Sequence, residues 1–402
     1  MRLLLLTLLP SFGLALSLSA GGAHLTTAQR AFLKATASKL ASPGKGLTAC
    51  DEGPATIGAR FEAVGVKNSE EARRRYRNML FTAEGVSDTL SGAILDPETL
   101  YQKDDAGVAF PSVLASRDIL VGVKPHLKVY ALPGCGGDSV MQGLDSLAVR
   151  AQEYALAGAT FAKWRSPLEI DTATGRPTDL AIKTNMGDLA RYALICQANG
   201  LMPIVEPDVS LTGDHTLEEA VDVNIRVQAE LYKAMIDHGV YMEGATLKPN
   251  IVNPGRSCSR SYSVEEIAEA NIYVLRNAFP VAMPGLNFLS GGQSLQDAAA
   301  RLSAINKAEG PSPWNISFSW SQALQLPLLQ LCKDSGELQL EAMSKLYSEE
   351  LKIASAAALG KHAWEQGEGD HVGVAPPAPP APPPSEAPPA PSDNNFFSKL
   401  FK

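Results

Sequence analysis

The chain has 402 residues, 45% apolar and 19% charged, enough for one large domain or two ordinary ones. A net charge of −8 argues against a nucleic-acid partner, which would call for a basic stripe. Five scattered cysteines (Cys50, Cys135, Cys196, Cys258 and Cys332) form no CxxC pair and read as free thiols, and six histidines without ligand spacing predict no metal site.

The first 23 residues read as targeting signal. Met1-Arg2 precede an almost uncharged run to Ala20, and small residues follow to Ala23. Pro10 and the short length disfavour a membrane span, so no stable insertion of the mature chain is expected. A secretory-type signal on a chain with unpaired cysteines suggests an organelle reached by that route, such as a plastid. A cytoplasmic location is the alternative.

Residues 24–365 alternate short apolar runs with longer helical stretches. The spacing predicts strands at Gly46–Cys50, Ser91–Leu95, Ile119–Val123, Thr160–Trp164, Met202–Val205, Gly244–Leu247, Leu286–Leu289 and Ile316–Ser319. Helix starts follow from Asn68 with Glu71, Thr216 with Glu219, and Ser263 with Glu266. Leu189, Tyr192, Ala193 and Cys196 share one helical face, as do Ile267, Ala270 and Val274. Eight such units predict an α/β fold of the (β/α)8 TIM-barrel type, and no GxGxxG follows the first strand to support a dinucleotide fold. Residues 366–402 read as a disordered tail. Its stretch 375–391, APPAPPAPPPSEAPPAP, is prone to polyproline II, and Phe396, Phe397, Leu400 and Phe401 are candidate docking anchors.

In such a barrel the C-terminal strand ends meet at one mouth. The residues at or near them are Asp51-Glu52, Lys124, Lys163 with Arg165, Glu206 with Asp208, Lys248, Ser290-Gly291-Gly292 and Ser319. Lysines among carboxylates suit Schiff-base chemistry on a carbonyl. A lysine closing an apolar segment has low-dielectric walls beside its amine, and Lys163 adds like-charge repulsion; both favour a neutral nucleophile at Lys248. Carboxylates then move protons. Ser290-Gly291-Gly292 before a helix start is either an anion cradle or a plain tight turn, and Arg60 and Lys124 are further candidate phosphate contacts.

From about Ala23 to Gly360 the chain resembles class I fructose-bisphosphate aldolase. The resemblance rests on PGKGLTACDE (43–52), NSEEARRRYRNMLFTA (68–83), ETLYQK (98–103), FAKWR (161–165), PIVEPD (203–208), EGATLKPNIVNPG (243–255), FLSGGQS (288–294) and the ALQ of 323–325. It implies a metal-free barrel enzyme, usually a homotetramer, with no cofactor beyond a covalent Schiff base and with sugar phosphates as partners. The reaction implied is reversible cleavage of fructose 1,6-bisphosphate into dihydroxyacetone phosphate and glyceraldehyde 3-phosphate. By the same resemblance Lys248 is the nucleophile, Glu206 the main acid/base, Asp51 the helper at the C4 hydroxyl, and Lys163 a charge support. Arg165 lies near a phosphate, Ser290, Gly291 and Gly292 hold the other end's phosphate, and Arg60 and Lys124 line the site.

The chain departs from the family pattern in places. Ser321-Gln322 stands where a small residue and an arginine usually precede ALQ, so a neutral amide replaces a guanidinium. Ala59 replaces a lysine, Pro125-His126-Leu127-Lys128 replaces VDKG, and the chain ends in Phe401-Lys402 rather than tyrosine. These changes predict a raised KM for the bisphosphate, relieved by Gln322→Arg. The alternatives are a Schiff-base barrel for another sugar phosphate, or a scaffold whose tail recruits a partner.

Overall fold

The apolar runs are buried along their whole length, which is the mark of parallel strands covered on both faces. In the computed structural model, which describes residues 21–310 and 312–372, eight of them close into a parallel barrel. The strands are β1 Gly46–Cys50, β2 Leu90–Leu95, β3 Leu120–Val123, β4 Phe161–Leu168, β5 Met202–Val209, β6 Thr246–Leu247, β7 Gly285–Phe288 and β8 Asn315–Trp320. Each pairs with its neighbours in sequence, and β8 returns to β1 through Leu47↔Ser319. An antiparallel ribbon, Val129–Ala131 with Ser139–Met141, stands in the β3–β4 connection.

Two strands run further than their apolar residues predicted. β4 and β5 pair continuously from Phe161↔Met202 to Leu168↔Val209, so Lys163, Arg165, Glu206 and Asp208 lie within strands rather than at their ends. The reason is the polar interior of the barrel mouth. Inward positions there carry charge, and charge in a sequence reads as a strand stop. Conversely β6 is only two residues long, because Met242–Gly244 is a 3-10 turn. Its packing is tight: a β-carbon on Gly244 would lie 2.7 Å from Leu33 Cβ.

The lower barrel is apolar. Leu47, Ile94, Phe161, Met202 and Ile204 cluster with Leu33, Ala37 and Leu40 of the helix Thr27–Leu40, which stoppers that end. Glycines make room for the rings. A β-carbon on Gly122 would sit 2.1 Å from the Phe161 ring, and one on Gly46 2.5 Å from Phe318.

Most helix signals hold. Thr216 with Glu219 and Ser263 with Glu266 form capping boxes on the helices Leu217–Asp237 and Val264–Ala278. The helix Glu70–Thr82 is capped by Ser69 instead of Asn68, whose side-chain oxygen accepts from Arg73 at 2.7 Å. The helix Asp179–Ala198 buries Leu189, Tyr192, Ala193 and Cys196 as its periodicity required. The helix Leu340–Ala358 closes over β1, and Tyr347 Oη donates to Thr48 Oγ1 at 2.8 Å.

The chain stays attached to the barrel past residue 366. Arg301 Nε donates to Gly369 O at 2.6 Å, Val264 N to Asp370 Oδ1 at 2.7 Å, and His371 bridges Tyr262. The signal-like segment to Ala20 and the proline-rich stretch lie outside the described residues. All five cysteines are free and buried.

Candidate active site

Alternation along the strands builds the site. Phe161 faces the barrel interior, so Lys163 and Arg165, two and four residues on, face it one and two layers higher. Ile204, Glu206 and Asp208 repeat this on β5, and Leu47 with Asp51 on β1. On the other parity, Trp164, Val205 and Leu247 pack into the outer core. That parity brings Lys248 inward beside Glu206.

The result is a buried ion chain. Lys163 Nζ lies 2.7 Å from Asp51 Oδ2 and 2.8 Å from Glu206 Oε2, and Lys248 Nζ lies 3.2 Å from Glu206 Oε1. Lys163, Glu206 and Lys248 are each at most 4% exposed. Burial works to raise the Asp51 carboxyl, but Lys163, then Lys248 and Lys124, overcome it and hold the group well below the usual carboxylate range. Burial likewise works against the Lys163 ammonium, and Asp51 and Glu206 outweigh it, so its pKa is pushed up. Lys163 is therefore a clamped cation between two carboxylates. It does not face Lys248 as a bare like charge, which is how the sequence suggested it would act, because Glu206 stands between them.

All eleven predicted site residues line one cavity of about 490 Å³ at the mouth. Three more of its cations are paired too. Arg165 Nε meets Asp208 Oδ2 at 2.6 Å, Lys124 Nζ meets Asp96 Oδ2 at 2.9 Å, and Arg60 Nη1 meets Glu52 Oε1 at 2.9 Å. Glu52 also takes Arg77 at 3.0 Å and a hydroxyl hydrogen bond from Ser321. Burial tends to raise the Glu52 carboxyl, but Arg60 and Arg77 lower it overall.

Ser290, Gly291 and Gly292 form the turn between β7 and the helix Leu295–Glu309, whose N-cap is Ser294. Gly291 (φ 58°) and Gly292 (φ 78°) are in the left-handed region. Among the described residues no acceptor takes the N–H of Gly291 or Gly292. Gln322 opens the helix Gln322–Gln330 on the far side of this turn.

Chemically, the arrangement offers a lysine amine within reach of a carboxylate, a second carboxylate fixed by a shared lysine, and anion-seeking groups around them. That is the equipment for iminium formation and proton transfer on a phosphorylated carbonyl compound.

The family model for class I fructose-bisphosphate aldolase, of the glycolytic type, matches residues 32–373. The chain belongs to the class I fructose-bisphosphate aldolases. It is 45% identical over 348 residues to the fructose-bisphosphate aldolase of Schistosoma mansoni, covering 86% of this chain and 94% of that one. With the Dictyostelium discoideum aldolase it shares 44% over 338 residues, covering 84% and 94%. A co-crystal structure of the Plasmodium falciparum aldolase superposes with a TM-score of 0.82 at 40% identity, covering 86% of this chain and 99% of that one. The chain is thus a lyase of the class that works through a lysine Schiff base without a metal cofactor, and it cleaves fructose 1,6-bisphosphate reversibly.

Among the cavity residues that sequence reasoning missed are His126 and Arg256. His126 packs edge-on to Trp164 with ring centroids 5.9 Å apart, and neither ring nitrogen has a partner. Burial first, then Lys163 and Lys124, push its pKa well below the ordinary value. Its only signal was its place where VDKG was expected. Arg256, in the loop after Lys248, also lines the cavity. Its signal was a lone arginine directly after Pro254-Gly255.

Proposed function

We propose that Lys248 attacks the C2 carbonyl of fructose 1,6-bisphosphate and that Glu206 carries the protons. The observation that carries this reading is the Glu206 carboxylate, with Lys248 Nζ 3.2 Å from one oxygen and Lys163 Nζ 2.8 Å from the other. Glu206 accepts the proton that Lys248 must lose before attack. It returns one to the carbinolamine hydroxyl, which leaves as water. The iminium then accepts the C3–C4 bonding electrons as the C4 hydroxyl gives up its proton. Asp51, firmly anionic beside Lys163, orients that hydroxyl, and its low basicity leaves the net proton movement to Glu206. Glyceraldehyde 3-phosphate departs, and protonation at C3 followed by hydrolysis frees dihydroxyacetone phosphate.

Arg165, Lys124 and Arg60 serve the substrate's phosphates by rearranging their present ion pairs, and Ser290, Gly291 and Gly292 receive the other phosphate on backbone groups. The test is borohydride reduction of the full chain with dihydroxyacetone phosphate, followed by peptide mass mapping. A stable adduct on Lys248 is expected; an adduct on Lys163 or Lys124 instead would overturn the assignment.

The reading extends to assembly and location. The family resemblance supports a homotetramer, checked by light scattering, where a monomer at micromolar concentration would refute it. The apolar N-terminal run supports a plastid destination. A reporter fused to residues 1–30 that stays in the cytoplasm would refute that. No helix among the described residues is long and apolar enough to cross a membrane.

A further inference from the structure

Of the six cationic side chains that line the cavity, five have a carboxylate within salt-bridge distance. Among the described residues Arg256 alone has none. A guanidinium left without an anion beside five paired neighbours is the place where a ligand's negative charge gains most, because no internal pair must first be broken.

Arg256 is also held in place. Its own N–H donates to Leu211 O at 2.8 Å, and the flanking Gly255 and Ser257 N–H groups bind His215 O and Gly213 O at 2.8 and 2.9 Å. Gly255 is needed there, since a β-carbon would lie 2.4 Å from Gly213 O. The side chain crosses to the glycine turn, where Nη2 donates to Gly291 O at 2.7 Å. A β-carbon on Gly292 would meet Arg256 Nη2 at 2.4 Å and Gln322 Oε1 at 3.1 Å, so guanidinium and amide converge on one point of the turn. One of the guanidinium's five N–H groups is spent on Gly291 O, which leaves others for a ligand.

The turn is one strand away from Lys248: Leu289 N–H donates to Pro249 O at 2.9 Å. The phosphate it receives is therefore the one on C1, next to the carbon that Lys248 attacks. Resting on the Schiff-base reading above, we propose that Arg256 is a substrate-binding residue. Its guanidinium grips the C1 phosphate together with the Gly291 and Gly292 N–H groups, at the point of the turn that Gln322 also approaches. The neutral amide at 322 thus does not leave this phosphate without a charged partner. Gln322→Arg in the otherwise unchanged chain accordingly lowers KM only slightly.

The experiment is borohydride trapping on Lys248 in the full chain, titrated with dihydroxyacetone phosphate and, separately, with dihydroxyacetone, which lacks the phosphate. In Arg256→Ala the half-saturating concentration of the phosphorylated ketone rises roughly tenfold to a hundredfold, as for loss of a charge-assisted hydrogen bond. That of dihydroxyacetone stays where it was. Arg256→Lys falls between, and Gln322→Arg in the Arg256→Ala background recovers most of the loss. Equal titrations for Arg256→Ala and the unaltered chain would overturn the proposal, as would an equal shift with both ketones, which marks a structural effect. No Lys248 adduct in the unaltered chain overturns the Schiff-base reading and this proposal together; an adduct indifferent to Arg256 overturns this proposal alone.

Discussion

Glu206 shows what a single carboxylate does when two lysines share it. It keeps Lys163 charged and in place, and in the proposed mechanism it takes the Lys248 proton. Glu206→Gln preserves shape and hydrogen bonding but cannot take a proton. Its kcat in steady-state cleavage is expected to fall roughly 10²- to 10⁴-fold. His126 gives a second prediction at this scale. Its folded pKa is depressed by burial and by Lys163, whereas the unfolded chain protonates near the ordinary value. The unfolded state therefore binds more protons below about pH 6.5, and stability is lost as pH falls through that window. Urea denaturation from pH 7 to 5 is expected to show a steeper loss for the parent than for His126→Gln.

Among the elements, the helix Leu340–Ala358 illustrates how an outer helix is tied to a barrel strand. Tyr347 reaches through the core to Thr48 on β1, three residues before Asp51, and both side chains are buried. Tyr347→Phe leaves the Thr48 hydroxyl without this donor and is expected to cost about 1 kcal/mol by chemical denaturation. The helix Leu217–Asp237 depends on its first turn, where Thr216 and Glu219 satisfy each other's backbone donors. Thr216→Ala removes one half of that exchange and is expected to cost about 1 kcal/mol, read as a shift in urea midpoint.

At the scale of the whole molecule, a buried carboxyl on the outer helix Leu340–Ala358 sits where burial works against its charge at neutral pH. Glu350 is 4% exposed, and its Oε2 has no hydrogen-bond partner. Burial pushes its pKa up to about 8. The folded state thus holds a proton that the unfolded state releases above about 4.5. Stability from this group is present in full at low pH and lost as pH rises toward 8. Glu350→Gln is expected to melt higher than the parent at pH 8, with the gap closing toward pH 5; a constant gap would refute the titration. The C-terminal segment has a global role as well. Gly369, Asp370 and His371 tie residues near the end of the described chain to Arg301, Val264 and Tyr262.

What the amino-acid order determined is most of what is local or periodic. Runs such as GLTAC and ILVGV are short, apolar and set between helical stretches, which is the pattern of parallel strands covered on both faces, so the eight-fold repeat was readable, and the LKPN, FAKWR and PIVEP stretches carried the family resemblance with them. Tertiary structure alone decided what depends on register and convergence. Polar inward residues made β4 and β5 look four residues shorter than their ladder allows. Asp51, Lys163, Glu206 and Lys248 form a chain of ion pairs only because four strands bring them to one mouth; the ladder sets Lys163 opposite Ile204 and Arg165 opposite Glu206, and the Lys163 side chain still reaches Glu206. Arg256 and Gln322 are 66 positions apart, yet they meet over Gly292 because a glycine turn admits both. Side chains on separate loops leave no mark in spacing; their meeting is a property of the closed barrel.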